Sequence, residues 1–452
     1  MTLSDATQTV KGGVNLNDKA LRLSYALELI FHHYPRTLGV IILGSPGIGK
    51  RTAVLEHAIE EAKRLGKEPI IVSELQQKAG SLDAYMKKLR DIYENPEKYY
   101  IISVIPFGAT MPRDLMPVPR IVTITDEKGV PIAAINQPVL KPNLALLAIE
   151  NIYGVLLIDN VLDIDDAVKR DFLLSVFERR AIGNVKLSPN VRVIGLGHLR
   201  SESVLTTHSV KSLLWSLIDK AMIVYVKEEP LESWYRWMEK ETKGQWYKEI
   251  YAFLKRYPNY YNNWSLADPV LPRAPIPRSW SALAVKLYNM KDKIDELLKT
   301  EEGHRELIAI IAADVGTSAA VQLVTFLSKS IIAVEDVIKN PALLNTITQD
   351  MDLVFRFCVR SAQKLEALLK GGEENLSSYL KLLVDLMEKT SKDVGIFILE
   401  MLSDTALLKL KKFVDKGLAS ESPDINAILQ KLQEATLIAL FNRISLLFTC
   451  LP

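Results

Sequence analysis

The chain has 452 residues, of which 48% are hydrophobic, and its 56 basic and 54 acidic residues leave a net charge of +2. A length of this size predicts two to four domains, at about 150 residues per domain. The near-neutral balance disfavours a strongly basic nucleic-acid-binding protein, so nucleic acid is not indicated as a partner. With two cysteines, Cys358 and Cys450, a disulfide framework is excluded and a reducing compartment is favoured.

The sequence also indicates where the protein works. The N-terminal stretch MTLSDATQTVKGGVNLND has no apolar core, so we expect no signal peptide. No uncharged run approaches the ~18 apolar residues of a membrane span, and the longest candidate, ATLIALFNRISLLF, is interrupted by Arg443. The cysteines and histidines lack the spacing of a structural zinc site. We therefore expect a soluble cytoplasmic protein with no membrane span.

In chain order, the first half alternates apolar runs with helical patterns. It opens with the helical stretch DKALRLSYALELIFHHY. Short apolar runs then predict five buried strands: LGVIIL, EPIIVS, YGVLLIDN, VRVIGLG and AMIVYV. Helices are predicted between them at RTAVLEHAIEEAKRLG, SLDAYMKKLRDIYENP and DDAVKRDFLLSVFERR. The Pro-rich stretch from IISVIP to IVTITDEKGVPIAAI is strand-like, with a hairpin predicted at DEKG. This alternation predicts an α/β domain with a mostly parallel sheet.

From about Pro230 the pattern changes. The stretch ESWYRWMEKETKGQWYKEIYAFLKRYP predicts aromatic-rich helix, with the aromatic residues packed on one helix face rather than stacking on bases. The proline-rich segment ADPVLPRAPIPRSW interrupts it, and everything after Ser279 predicts successive amphipathic helices. The first half is therefore expected to be followed by two all-helical parts.

A glycine loop carries the main chemical signal. In VIILGSPGIGKRTAV, residues Gly44, Gly49 and Lys50 match the phosphate-binding pattern G-x-x-x-x-G-K, with a strand predicted before and a helix after. Glycines allow backbone N–H groups to surround a phosphate, and the lysine reaches the β- and γ-phosphates. The alternative is an ordinary turn, and the flanking elements favour the nucleotide site. The next residue should be Ser or Thr, but it is Arg51, and Thr52 follows one position late.

A second signal is Asp159, at the end of the buried run GVLLID. P-loop proteins place a magnesium-directing carboxylate at this point. The alternative is an ordinary turn aspartate, which is common after strands. The glycine loop and Asp159 are separated by a strand-rich segment. Together they favour a nucleotide site in which Asp159 is the carboxylate that directs magnesium.

The order of these motifs resembles the MoxR branch of the AAA+ ATPases. GSPGIGK resembles their Walker A motif, GVLLIDN their Walker B motif, and PRDLMPVP the segment between the two. FLLSVFERRAIGNVKLSPNVRVIGLGH resembles their sensor 1 region, LLWSLIDKAMIVYV the element that carries an arginine finger, and PIPRSW the start of the lid helix with sensor 2. The resemblance covers about residues 23–326. It implies an α/β AAA+ P-loop domain at 1–228, a helical lid domain at 229–330 and a C-terminal helical domain at 331–452.

The resemblance also implies a role for each matching residue. ATP and Mg²⁺ are the implied cofactors. Thr52 would place a hydroxyl near the α-phosphate and the metal, Asp159 would act on magnesium through water, and Arg278 would be the sensor 2 arginine. The phosphates would be surrounded by Gly44, Pro46, Gly47, Gly49 and Lys50.

Four positions depart from the family pattern. Arg51 replaces the hydroxyl that should bind magnesium, and a guanidinium cannot coordinate a cation. Asn160 replaces the glutamate that polarises the attacking water, and an amide cannot accept a proton near neutral pH. His198 stands where sensor 1 has asparagine, and Lys220 replaces the arginine finger without its bidentate fork. We therefore expect slow or absent hydrolysis.

The acids that follow Asn160 leave one alternative open. One of Asp163, Asp165 and Asp166 could replace the missing base, but acids at this position more commonly begin the next helix. Two interpretations of the protein follow. The first is an ATP-driven remodelling protein, forming a hexameric ring and acting on a protein partner. The second is a nucleotide-binding scaffold or regulatory subunit that works through partners, including another ATPase in a hetero-oligomer.

Overall fold

The computed structural model describes residues 20–125, 131–163, 166–199, 215–217, 219–268, 273–330, 332–371, 376–417 and 433–439. These fall into two compact units, one formed by residues 1–228 and the other by residues 229–451. The first unit is α/β and the second is helical. The sequence-based boundary between a lid and a C-terminal domain at residue 330 stays a prediction.

A seven-stranded parallel sheet forms the centre of the first unit, with the strand order β1-β11-β2-β10-β7-β4-β3. Two antiparallel pairs, β5 with β6 and β8 with β9, stand apart from it. The strands are β1 (Leu21–Arg22), β2 (Gly39–Gly44), β3 (Glu68–Ile71), β4 (Tyr99–Pro106), β5 (Val118–Thr125), β6 (Pro131–Val139), β7 (Tyr153–Asp159), β8 (Ala181–Ile182), β9 (Val185–Lys186), β10 (Val191–His198) and β11 (Ala221–Lys227).

Helices cover both faces of the sheet. They are α1 (Leu23–Glu28, continued by a π-helical turn at Leu29–His33), α2 (Lys50–Arg64), α3 (Val72–Ala79), α4 (Leu82–Glu94), α5 (Pro112–Leu115), α6 (Pro142–Ala145) and α7 (Ala167–Leu174, continued by a π-helical turn at Ser175–Arg179). Alternate residues of β2 enter different cores: Ile41 packs in the core that contains α7, and Ile42 in the core that contains α1 and α2. Burial of each such side chain contributes about 1.5–3 kcal/mol.

The strand register brings the ends of three strands to one edge of the sheet. His198 lies beside Gly44, and Leu196 lies beside Asp159, in parallel pairs. Because all these strands run in the same direction, their carboxyl ends meet at one edge of the sheet. The end of β2, the end of β7 and the end of β10 therefore form one locality.

Most predicted elements of this unit are present. The predicted strand EPIIVS is shorter than expected, since helix α3 begins at Val72. Strands β5 and β6 pair in antiparallel fashion as the predicted hairpin requires, and the DEKG turn lies outside the described residues. The short pair β8–β9 was not predicted, because two-residue strands leave no periodic signal.

The second unit is helical along its described length. Its helices are α8 (Leu231–Thr242), α9 (Glu249–Arg256), α10 (Pro277–Asn289), α11 (Lys291–Leu297), α12 (Glu301–Val315), α13 (Thr317–Leu327), α14 (Val334–Lys339), α15 (Leu343–Thr348), α16 (Met351–Gly371), α17 (Leu376–Lys389), α18 (Lys392–Glu400) and α19 (Asp404–Gly417). One buried hydrophobic cluster contains residues from α8 through residue 439.

The aromatic residues near the start of the second unit pack in its hydrophobic core. Trp234 and Met238 are buried on α8, and the Trp234 ring meets the Trp246 ring edge-on at 5.4 Å between centroids. Trp280 is fully buried and donates its indole N–H to the Tyr260 carbonyl at 2.7 Å. The prediction of a packed helix face is confirmed. Within the described residues, no helix is both long and apolar enough to cross a membrane.

Candidate nucleotide-binding site

The glycine loop joins the central strand β2 to helix α2. Gly47 and Gly49 have φ values of 79° and 86°, a left-handed backbone that side chains with a Cβ rarely adopt. Gly49 is the N-cap of α2, so no side chain caps the first turn. The backbone N–H groups of this turn are therefore the kind of donors that bind an anion at a helix N-terminus.

Gly44 is required for a different reason. A Cβ at this position would lie 2.5 Å from the Val226 carbonyl oxygen of the neighbouring strand β11. At Gly49 the same construction meets no atom within 4 Å, and only the positive φ restricts the residue. Gly44 therefore serves the packing of the sheet, and Gly49 the conformation of the loop. Pro46 is half-buried between them, and its contact with a phosphate stays a prediction.

Lys50 is the first residue of α2 and is almost completely buried, with 3% exposure. Its Nζ donates to the carbonyl oxygens of Gly44 at 2.9 Å and Ser45 at 2.8 Å, and lies 3.1 Å from His198 Nδ1. Burial lowers the pKa of Lys50 to about 7, and the nearby Asp159 carboxylate opposes this shift. The ammonium is thus held inside the loop in a place where a negative ligand would stabilise its charge.

Asp159 lies at the end of β7, facing basic groups. Its Oδ2 lies 3.8 Å from a guanidinium nitrogen of Arg51, and its Oδ1 lies 3.9 Å from His198 Nε2. The Asp159 side chain is mostly buried, whereas that of Arg51 is 52% exposed. The structure therefore brings Lys50, Arg51, Asp159 and His198 together at the edge where three strands end.

Asn160 has a backbone conformation that explains its residue type. Its φ is 65°, in the left-handed region that asparagine tolerates better than most residues. Its backbone carbonyl accepts from Asp163 N at 3.0 Å, so the turn after β7 is fixed. Its side-chain Oδ1 is buried and has no hydrogen-bond partner among the described residues. An unsatisfied buried acceptor at this place is suited to receive a hydrogen bond from water.

The acids after Asn160 divide between two roles. Asp166 is the N-cap of α7, and its carboxylate accepts from Val168 N at 2.6 Å, as expected for an acid that begins a helix. Asp163 is exposed, and its Oδ2 would lie 2.9 Å from a Cβ added at Gly108. Because Gly108 has no Cβ, the Asn160 and Asp163 side chains can lie next to it without a steric clash. Asp165 lies outside the described residues.

The residues present do not fit the usual magnesium site. Arg51 stands at the ligand position, and Thr52 is exposed on α2 one residue later. Successive helical side chains point in directions about 100° apart, so Thr52 does not replace a hydroxyl at position 51. Among the described residues, no group of three or more His, Cys, Asp or Glu side chains is arranged to hold a metal ion. Phosphate binding fits this loop, and conventional magnesium coordination does not.

Two further residues were predicted for the site, Lys220 and Arg278. Lys220 precedes β11, whose first residue pairs with Gly39 at the start of β2, and its Nζ lies 3.2 Å from Glu178 Oε1. Five strand steps of about 3.3 Å separate this end of the sheet from Gly44, or about 17 Å. Lys220 therefore does not act on the glycine loop of its own chain. Arg278 is exposed in the first turn of α10, within the helical unit.

Sequence reasoning missed a buried network that holds the far end of α2. The Glu61 carboxylate accepts from Arg36 Nη2 at 2.8 Å, from Arg192 Nη2 at 3.4 Å and from the Tyr100 hydroxyl. Arg192 also donates to the Phe31 and Tyr34 carbonyls at 2.9 and 3.0 Å. The available signal was Glu61 itself, since a carboxylate three residues after Ala58 falls on the apolar face of the helix.

The first unit has a parallel sheet with a glycine loop between an inner strand and a helix, the second unit is helical, and the predicted α/β fold class with a helical C-terminal region is confirmed. No protein-family model matches the chain, and no curated protein matches it.

Among solved structures, the chain is similar to a K64R mutant of RuvB from Thermotoga maritima, with 14% identity over 91% of this chain and 90% of that chain, at a TM-score of 0.29. It is also similar to NtrX from Brucella abortus, with 12% identity over 96% of this chain and 71% of that one, at a TM-score of 0.31. ORC2 from Aeropyrum pernix gives 10% identity over 92% and 93%, at a TM-score of 0.28. Similarities at this level carry no argument about activity.

Proposed function

We propose that this chain is an ATP-binding protein of the MoxR type that remodels a protein partner and hydrolyses ATP slowly. The observation that carries the proposal is the buried Lys50 at the first turn of α2. Its ammonium is enclosed by loop carbonyls, where burial lowers its pKa to about 7. A buried cation without a full counter-charge costs free energy, which a phosphate ligand would offset.

The chain's own residues can divide the work of holding a nucleotide. The N–H groups of the loop and of the first turn of α2 would bind phosphate oxygens, and Lys50 would neutralise their charge. His198 would hold Lys50 in place through its Nδ1, which lies 3.1 Å from the ammonium. Asn160 Oδ1 would orient a water molecule, since this acceptor is buried and unsatisfied within the described chain.

Slow turnover follows from the same residues. An asparagine amide orients water but does not remove its proton, so Asn160 supplies positioning without general-base catalysis. General-base catalysis contributes about 10² to 10⁴ in rate, and its loss is the main reason to expect a slow enzyme. The exposed Asp163 is the alternative base, three residues along the same turn.

Oligomerisation would complete the site. Lys220 lies at the sheet end opposite to the glycine loop, so in this proposal it contributes to the site of a neighbouring subunit in a hexameric ring or hetero-oligomer. Arg278 would report the nucleotide state from the helical unit, where it is exposed on α10. ATP and ADP binding would then change the contacts made with the protein partner.

A second candidate is a nucleotide-binding scaffold that does not hydrolyse ATP. The specific observation in its favour is the approach of Arg51 to Asp159, at 3.8 Å, which places a cation beside the carboxylate that normally directs magnesium. In this alternative the protein works through partners or through a catalytically complete ATPase subunit. Sustained phosphate release by the purified chain separates the two candidates.

The test is ATP binding and steady-state phosphate release by the parent protein and two variants. Lys50→Ala should abolish ATP binding, because it removes the cation that faces the β- and γ-phosphates. Lys63→Ala is the matched control, since Lys63 is exposed near the other end of the same helix. Equal ATP binding by the parent and Lys50→Ala would contradict the nucleotide site.

A further inference from the structure

The first turn of α2 contains two cationic residues and no acidic one. Lys50 and Arg51 are consecutive, at the end of the helix where the macrodipole is positive. Cations are unfavourable at this end of a helix, whereas anions are favourable. Two cations here are therefore an arrangement that an anionic ligand stabilises.

Asp159 does not supply enough negative charge to balance this turn. It is a single carboxylate, and its two oxygens approach Arg51 and His198 at 3.8 and 3.9 Å. Both distances exceed those of a hydrogen-bonded ion pair, and the Arg51 side chain is 52% exposed. Such a loose pair exchanges readily for a stronger partner, and a phosphate offers the planar guanidinium two parallel hydrogen bonds.

A divalent cation would bind weakly beside Arg51. The guanidinium carries five N–H donors and no acceptor, so it offers no ligand to a metal ion. Its positive charge also opposes a second cation beside Asp159. The charge that magnesium normally brings to the nucleotide is thus already present, attached to the chain at position 51.

We propose that this site binds a nucleoside triphosphate as the free polyphosphate anion, with Arg51 in place of the divalent cation. The inference rests on the proposed function, because it concerns the same loop. It specifies the ligand: ATP without magnesium rather than the magnesium complex. Asp159 then positions Arg51, and the guanidinium moves from the carboxylate to the phosphates when the nucleotide binds.

The experiment measures ATP affinity by isothermal titration calorimetry, in EDTA and in excess magnesium, for the full chain. The parent should bind ATP as tightly in EDTA as in magnesium. Arg51→Thr should bind about tenfold or more weakly than the parent in EDTA, since it loses charge-assisted hydrogen bonds, and magnesium should restore its binding. Lys63→Thr removes a cation from the other end of α2 and should behave as the parent does.

The affinity of the parent without magnesium can also contradict the proposal. If the parent loses about tenfold or more in affinity when magnesium is removed, Arg51 does not replace the metal. The parent measurement does not depend on whether a variant folds, and Arg51→Lys, which keeps the charge without the fork, provides a second variant. Failure of the proposed function looks different: the parent then binds no ATP with or without magnesium.

Discussion

The two ends of helix α2 contain similar charged groups in different states. At its C-terminal end, the Glu61 carboxylate is 1% exposed and is bound by Arg36, Arg192 and the Tyr100 hydroxyl. At its N-terminal end, Asp159 faces Arg51 at 3.8 Å, and within the described residues Lys50 is bound by two carbonyls and His198. We call the first group the closed end, because the Glu61 carboxylate is buried and paired on both oxygens, and the second the open end, because it is short of negative charge.

This difference separates a structural cluster from a candidate site. The Glu61 carboxylate has partners on both oxygens, so it holds elements together and leaves no oxygen for a ligand. Arg192 Nε has no hydrogen-bond partner in the described chain. The open end keeps a buried ammonium, an exposed guanidinium and the Asn160 Oδ1 at one edge of the sheet, and this oxygen has no partner among the described residues. Changes at the open end should therefore alter ligand chemistry, and changes at the closed end should alter stability.

The largest effect is expected from repairing the open end. Arg51→Thr combined with Asn160→Glu should raise steady-state phosphate release by about 10² to 10⁴, since a carboxylate restores a group that polarises water. Either change alone should do much less, because both act on one transition state. The left-handed backbone at Asn160 costs the new glutamate about 1 kcal/mol or more.

The control for this prediction is the parent chain, measured with both single variants. A parent that already releases phosphate as fast as the double variant would contradict the idea of a degenerate site. It would point to Thr52 and Asp163 as the residues that have taken the two roles.

The second effect concerns the closed end. Glu61→Gln should lower the free energy of unfolding by about 3–5 kcal/mol, because it leaves Arg192 buried without its counter-charge. Urea denaturation followed by circular dichroism measures the loss. Glu60→Gln, at an exposed position next to it, is the matched control. A loss below about 1 kcal/mol, the usual size for surface pairs, would mean that the Glu61 carboxylate does not stabilise the buried arginines.

The third effect is a pH dependence caused by Lys50. Its pKa is about 7 in the folded chain and 10.5 in the unfolded reference, so between these values the unfolded chain binds more protons. Stability therefore rises with pH between about 7 and 10.5, and this gain is lost progressively as the pH falls back from 10.5 to about 7. From about pH 7 to about pH 9, the parent should gain about 2 kcal/mol relative to Lys50→Met.

Lys63→Met, an exposed change on the same helix, should follow the parent in the same urea titrations. Parallel pH profiles for the parent and Lys50→Met would show that the lysine is charged and well solvated in the folded chain. The contrast between the two ends of α2 would then lose its main support.

The smallest effect is expected from Asp159→Asn. The two contacts of Asp159 are long, at 3.8 and 3.9 Å, so the free energy of unfolding should change by less than about 1 kcal/mol. The direct comparison is with Glu61→Gln, measured in the same urea titrations. Equal losses for the two variants would mean that the open end is structural as well.

The sequence by itself determined the architecture of the first unit and the place of the loop. Apolar runs of β-branched residues and helical spacing depend on local order along the chain, so β2, β7, β10 and α2 were predicted within a few residues. The pattern from Gly44 to Lys50 and the aspartate at position 159 were predicted for the same reason. Each of these two motifs lies within one short segment of the sequence, so no long-range contact is needed to recognise it.

The tertiary structure alone decided which charges meet. Arg192 reaches Glu61 across 131 positions, and His198 reaches Lys50 across 148, so no local pattern contains either contact. The parallel direction of β11 and β2 placed Lys220 at the opposite end of the sheet from the glycine loop. Burial, which sets the pKa of Lys50 and leaves Asn160 Oδ1 without a partner in the described chain, exists only once the strands have assembled.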